Sequence, residues 1–196
     1  MNKIRNICIY CGSSPGRKAS YVNAARELAA IIVEHNIGLV YGGAHIGVMG
    51  AIADEVLRLG GQAVGVIPKA LMHKEVVHEH LTELYVTHSM HERKTRMAEL
   101  ADGFIALPGG IGTLEELFEI WTWAQLGFHQ KPCGLLNVEG YFDGLINFLD
   151  YSVQEEFIRL SHRNLLLIEA EPLKLIELVL NFEPPSVTQW IHNTEM

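Results

Sequence analysis

Apolar residues fall along this chain in two alternating rhythms. Short unbroken runs at 7–10, 38–41, 63–67, 83–86, 104–107, 133–137 and 165–168 read as strands, the third closed by Pro68. Between them, apolar positions recur at three- and four-residue spacing, as in Ala25, Leu28, Ala29 and Ile32. This pattern predicts helices over 21–35, 49–59, 93–100, 113–126, 141–156 and 172–180. The polar stretch 69–80 shows neither rhythm. Apolar runs without alternation suit strands covered on both faces, and strands separated by helices pair in parallel. The fold class that follows is α/β: a doubly wound, Rossmann-like parallel sheet in a single domain over 1–182, with 183–196 as a tail. Such sheets bind ligands beyond the carboxyl ends of their strands, at a topological switch point. The loops after the strands are therefore where chemistry is expected.

Charge and composition narrow the ligand. The 196 residues carry 15 Lys+Arg against 23 Asp+Glu, a net charge of −8. A nucleic-acid partner needs clustered excess cations, so none is expected; a small anion held at a local positive site remains compatible. With 48% hydrophobic and 19% charged residues, the chain is neither disordered, collagen-like nor a coiled coil. No apolar window approaches the ~18 residues of a membrane span. Three cysteines, Cys8, Cys11 and Cys133, make no disulfide framework. Cys8 and Cys11 form a C-x-x-C that begins in a strand rather than opening a helix, so both read as buried thiols. The first six residues lead into a strand without a signal-like apolar core, and the expected compartment is the reducing cytoplasm.

Three strand-to-helix loops are rich in glycine: Gly12-Ser13-Ser14-Pro15-Gly16, the run from Gly42 and Gly43 through Gly47 to Gly50, and Pro108-Gly109-Gly110-Ile111-Gly112-Thr113. Glycine allows sharp turns and close backbone approach, and a following helix start offers free N–H groups to a phosphate. A single such loop would mean only tight packing; three at one sheet edge point to phosphate. Gly43, Gly47 and Gly50 do not space as G-x-G-x-x-G, and no acidic residue closes the second strand, which excludes the dinucleotide fingerprint. No G-x-x-x-x-G-K-[ST] is present. A mononucleotide or sugar phosphate fits better.

Arg93, Lys94 and Arg96 set three cations within four residues of an otherwise acidic chain. They form either a solvated helix face paired with Glu92 or Glu99, or an anion clamp in which an arginine fork would suit phosphate or ribose. Thr113-Leu114-Glu115-Glu116 fits S/T-x-x-E, a capping box in which Glu116 would only bond back to Thr113, although a single carboxylate near a phosphate-binding helix start could still act on a sugar. Glu115 and Glu116 point about 100° apart on a helix, so they are not a carboxylate pair facing one glycosidic bond. His73, His78, His80, His88 and His91 lack zinc-ligand spacing, and no metal is expected. No G-x-S-x-G elbow supports a serine triad.

Taken together, these motifs resemble the Lonely Guy family of cytokinin-activating nucleoside 5′-monophosphate phosphoribohydrolases. Residues 108–116 match its P-G-G-x-G-T-x-x-E, Met90 through Arg93-Lys94 its Met…Arg-Lys element, and residues 42–50 its G-G-x-x-x-G-x-M-G; the similarity runs from about 7 to 157. The resemblance implies a homodimer that cleaves adenosine-type 5′-monophosphates, N6-prenylated ones included, to free base and ribose 5-phosphate without a cofactor. It implies that Arg93 and Glu116 are catalytic. It implies nucleotide contacts at Glu75, Met90, Lys94, Gly109, Gly110, Ile111, Gly112, Thr113, Leu114, Glu115 and Thr122. Nothing in the sequence supports the lysine decarboxylase label that some members carry. Two rivals share the glycine loops: a non-catalytic nucleotide or cofactor carrier similar to molybdenum-cofactor carriers, and a general purine or pyrimidine nucleotide salvage glycosidase.

Overall fold

A computed structural model describes residues 4–72 and 77–184. Seven strands, β1 (Asn6–Tyr10), β2 (Gly38–Tyr41), β3 (Ala63–Pro68), β4 (Glu83–Thr87), β5 (Gly103–Ala106), β6 (Cys133–Leu136) and β7 (Leu166–Glu169), form one sheet in the order β4-β3-β2-β1-β5-β6-β7. Every pairing is parallel. Winding starts at β1 and runs outward to β4. The chain then returns to β1's other side, which puts the switch point between β1 and β5.

The helices are α1 (Ala19–Glu34), α2 (Gly47–Arg58), α3 (Met90–Leu100), α4 (Ile111–Leu126), α5 (Asp143–Gln154), α6 (Leu160–Arg163) and α7 (Pro172–Leu180). Alternate strand residues serve two cores. Ile7, Ile9, Leu39, Tyr41 and Ile105 pack with α1, α2 and α7 on one face. Cys8, Tyr10, Val40, Phe104 and Ala106 pack with α3, α4 and α5 on the other. Each isoleucine or leucine fully removed from water there contributes about 1.5–3 kcal/mol. This double burial is why the strands read as unbroken apolar runs.

Five of the six predicted helix starts differ from the sequence reading. The fourth helix begins at Ile111 with Gly110 as its N-cap, so Thr113 lies inside the first turn and caps nothing. The capping role predicted for Glu116 is therefore wrong: that side chain sits about a turn and a half into the helix. A variant of the box does occur, at α3, with its return bond reaching the residue before the N-cap. Ser89 is the N-cap and its Oγ accepts the Glu92 N–H at 3.1 Å, while the Glu92 carboxylate accepts the His88 N–H at 2.7 Å. The third helix thus starts at Met90 rather than Arg93, and the fifth at Asp143 rather than 141.

Candidate functional site

The loops after β1 and β5 converge with the starts of α2 and α3, and with Leu71 beyond β3, around a hollow of about 340 Å3 beside the switch point. Its glycine wall consists of Gly12 and Ser13 together with Gly110 through Thr113; its apolar wall consists of Met49, Leu71 and Met90. Arg93, Glu115 and Glu116 line it as well.

The glycine wall is an anion seat by construction. The first N–H groups of any helix lack intrahelical acceptors and carry the positive end of its dipole. Gly110 caps α4 with no side-chain hydrogen bond, and no acidic residue occupies the first turn. The positive end is thus left for a ligand. Packing holds the loop in place: the Gly12 N–H donates to the Pro108 carbonyl at 3.2 Å, and a Cβ on Gly109 would collide with the Thr113 side chain and lie 2.8 Å from the Gly12 nitrogen. Gly43 and Gly47 have a different role. Gly43 packs against Gly65 and Leu84, and Gly47, at φ +60, abuts the Ser13 backbone. These are close packing contacts, and neither glycine lines the hollow.

Arg93 is only 6% exposed. Its Nη2 lies 3.5 Å from the Gly42 carbonyl and 3.9 Å from Glu116 Oε1, its Nη1 lies 4.0 Å from Met90 Sδ, and its Nε is buried without a hydrogen-bond partner. Every one of these contacts is at the long limit. A buried guanidinium so loosely held is costly unless a ligand completes it. The strand end makes room for it: a Cβ on Gly42 would strike the Arg93 guanidinium.

Lys94, one residue on, faces elsewhere. Its Nζ bonds Glu115 at 2.5 Å and Glu119 at 2.9 Å, clamping α3 to α4. Burial works against that charge, yet the hydrogen bonds to both glutamates outweigh it and hold the ammonium above the ordinary lysine value. The adjacent carboxylates divide as helical geometry requires, Glu115 to Lys94 and Glu116 to Arg93. Cys11, in the floor, is a neutral thiol: burial, then the nearby charge of Glu116, push its pKa far up.

The structure brings Gly12, Ser13, Met90, Arg93, Gly110, Ile111, Gly112, Thr113, Glu115 and Glu116 together. Gly42 stands behind Arg93. Leu114 packs toward the core, and Thr122 is exposed further along α4, apart from the hollow. Glu75 and His73 lie outside the described residues. Leu71 and Glu119 went unnoticed in the sequence, being residues of ordinary type without a motif of their own, and Cys11 was read only as a buried thiol. Among the described residues, His45 Nε2, Asp54 Oδ1 and His78 Nε2 lie within 4.8 Å of one another, close enough to share a cation. However, His78 Nδ1 accepts the His80 N–H at 3.1 Å, so its Nε2 carries the proton and donates to Asp54. That arrangement is a hydrogen-bonded clamp, which a metal at Nε2 would have to break.

A family model described as "Possible lysine decarboxylase" matches residues 49–179. The cytokinin riboside 5′-monophosphate phosphoribohydrolase LOG of Oryza sativa subsp. japonica is 52% identical over 182 residues, covering 93% of this chain and 74% of that protein. The phosphoribohydrolase LOG1 of Arabidopsis thaliana is 48% identical over 183 residues, 93% of this chain and 86% of that protein. Among solved structures, the molybdenum cofactor binding protein from Rippkaea orientalis superposes with a TM-score of 0.67 at 24% identity, over 91% of this chain and 97% of that one. The molybdenum cofactor carrier protein of Chlamydomonas reinhardtii gives 0.68 at 20%, over 89% and 95%. These two likenesses show the fold alone. With a family model spanning most of the chain and relatives about half identical along nearly all of it, the chain belongs to the Lonely Guy (LOG) family.

Proposed function

We infer that this chain hydrolyses the N-glycosidic bond of adenosine-type nucleoside 5′-monophosphates, N6-prenylated cytokinin nucleotides included, releasing free base and ribose 5-phosphate. The observation that carries this reading is one juxtaposition: a loosely held Arg93 and the Glu116 carboxylate line the same hollow as the uncapped start of α4.

The 5′-phosphate rests on the N–H groups from Gly110 to Thr113, and its binding fixes the ribose. As the C1′–N bond breaks, its electron pair leaves with the base, and positive charge develops on C1′ and the ring oxygen. Glu116 stabilises that charge and takes a proton from the attacking water, whose oxygen bonds to C1′. The departing base gains a proton, so the net reaction consumes one water. Arg93 completes its open hydrogen bonds on the nucleotide and holds it in register. Met49, Leu71 and Met90 offer the apolar wall that a base with a prenyl substituent needs. No cofactor enters these steps. Lys94, tied to two glutamates, is a poor candidate for the Schiff base that a pyridoxal-dependent decarboxylase requires. A homodimeric assembly and a cytoplasmic location belong to the same reading. The exposed Ile111 and Met90 at the mouth of the hollow suit a covered face.

The test is a panel of 5′-monophosphates carrying adenine, N6-prenyladenine, other purines and pyrimidines, with the matching 5′-hydroxyl nucleosides as controls. Chromatography should show release of adenine and prenyladenine from the monophosphates and turnover at least about 100-fold slower for the nucleosides. Binding without release from any member would make the chain a carrier, and equal release of every base a general salvage glycosidase.

A further inference from the structure

On the α1 side of the glycine loop lies a second hollow of about 300 Å3, walled by Tyr21 and Tyr141 and sharing Gly12, Ser13 and Gly110 with the first. Across it the Tyr141 hydroxyl donates to the Gly109 carbonyl at 2.7 Å. In a trans peptide the carbonyl and the following N–H point in opposite directions. Holding the Gly109 carbonyl toward Tyr141 therefore turns the Gly110 N–H away from this hollow, toward the side on which Gly110 lines the Arg93–Glu116 site.

The turn that presents Tyr141 is conformationally costly. Glu139 sits at φ +49 and Gly140 at φ +71, and a non-glycine residue keeps such a backbone only where its surroundings enforce it. Those surroundings are visible. Lys18 Nζ meets the Glu139 carboxylate at 2.6 Å. The Asn137 side chain accepts the Phe142 N–H and donates to Asp143, each at 2.7 Å. The Tyr141 ring meets Tyr21 and Phe142 edge-on, at 5.5 and 4.8 Å. Core burial does not explain the residue, which is 44% exposed. A strained turn fastened at both ends thus delivers one hydrogen bond, and that bond goes to the loop of the anion seat.

We propose that Tyr141 is a positioning residue for the hydrolysis: its hydroxyl fixes the Gly109–Gly110 peptide and so aims the Gly110 N–H at the substrate's 5′-phosphate. This rests on the phosphate seating argued above. Tyr141 touches the loop rather than the reacting atoms, so its signature is affinity for the phosphate end and not the rate of bond cleavage.

Tyr141→Phe removes the hydroxyl and keeps the ring. Wild type and variant are compared in kcat and KM for adenosine 5′-monophosphate, in inhibition by ribose 5-phosphate, ribose and adenine, and in Tm. The expected result is a rise of about 3–10-fold in KM and in the ribose 5-phosphate inhibition constant, the scale of one lost hydrogen bond. Turnover should stay within about twofold, with adenine inhibition and Tm unchanged. Unaltered KM and ribose 5-phosphate inhibition would overturn the proposal and leave the phosphate seating standing. So would a parallel weakening of adenine and ribose 5-phosphate, the mark of a merely structural hydroxyl. Should ribose 5-phosphate inhibit the wild type no better than ribose, the seating itself fails and the proposal falls with it.

Discussion

At the scale of single residues, the site is defined by a cation and a carboxylate that face each other without closing. Arg93 and Glu116 are 3.9 Å apart, too far for a tight hydrogen-bonded pair and close enough to share a ligand. The sequence left two readings of Glu116 open, helix cap or acid–base group, and the helix start at Ile111 removes the first. Glu116→Gln keeps size and polarity and disturbs no cap, so Tm should hold within about 2 °C while kcat falls by about 10²–10⁴, the range for a positioned acid–base group. Unchanged turnover in that variant would take Glu116 out of the chemistry. Arg93→Lys keeps a charge but loses the planar fork. A fall of about tenfold or more in kcat/KM is expected for the monophosphate.

Between elements, the deciding contact is the bridge from Lys94 on α3 to Glu115 and Glu119 on α4. Arg93 and Glu116 are the immediate neighbours of these ions, so the bridge sets the separation of the two helices at the point where these two side chains, proposed as catalytic, leave them. Lys94→Met keeps the chain length but not the charge. It should cost about 1 kcal/mol, read as a Tm lower by about 2–4 °C, and kcat should fall with it as the pair drifts apart. A thermal loss with full activity would make the bridge a stability device alone. The capping signals show why helix limits were only partly legible. Ser89-Met90-His91-Glu92 and Thr113-Leu114-Glu115-Glu116 both fit S/T-x-x-E, yet only the first caps its helix. Before α4 the glycines let the backbone enter the helix early, and tertiary contacts around Gly109 choose that entry over the local motif. Tyr141 was less legible still. Its acceptor is a backbone carbonyl 32 residues away, and a backbone carbonyl leaves no mark on the sequence.

At the scale of the molecule, the sheet was legible because burial on both faces strips polar residues from its strands, and the glycine loops fell where a doubly wound topology places its ligand crevice. The protonation balance of the whole fold was not legible, since it depends on which histidines the packing dries. His129 Nε2 donates to the Ile120 carbonyl at 2.9 Å while its Nδ1 accepts the Lys131 N–H at 3.1 Å. Both nitrogens are thus committed in the neutral form. Burial lowers the pKa of His129; the Ile120 hydrogen bond opposes it in part, and the charge of Lys131 adds a smaller lowering effect. His162 is lowered as well, by burial and then by Arg159. The unfolded chain therefore binds protons at these two positions near the ordinary histidine value of about 6.5, while the folded chain binds them only at lower pH. Over that window the unfolded state holds more protons, so stability rises with pH. It is fully present above about pH 6.5 and is lost as pH falls toward the folded values. Carboxylates lowered by ion pairs, such as the half-buried Glu55 and the exposed Glu139, titrate below about pH 4.5, outside the window. Thermal unfolding followed from pH 7.5 to 5 should show a level Tm giving way to a decline below about pH 6.5. Removing the titrating ring with His129→Gln should flatten the decline even if it lowers the plateau. An equally steep decline in that variant would move the acid sensitivity to His162.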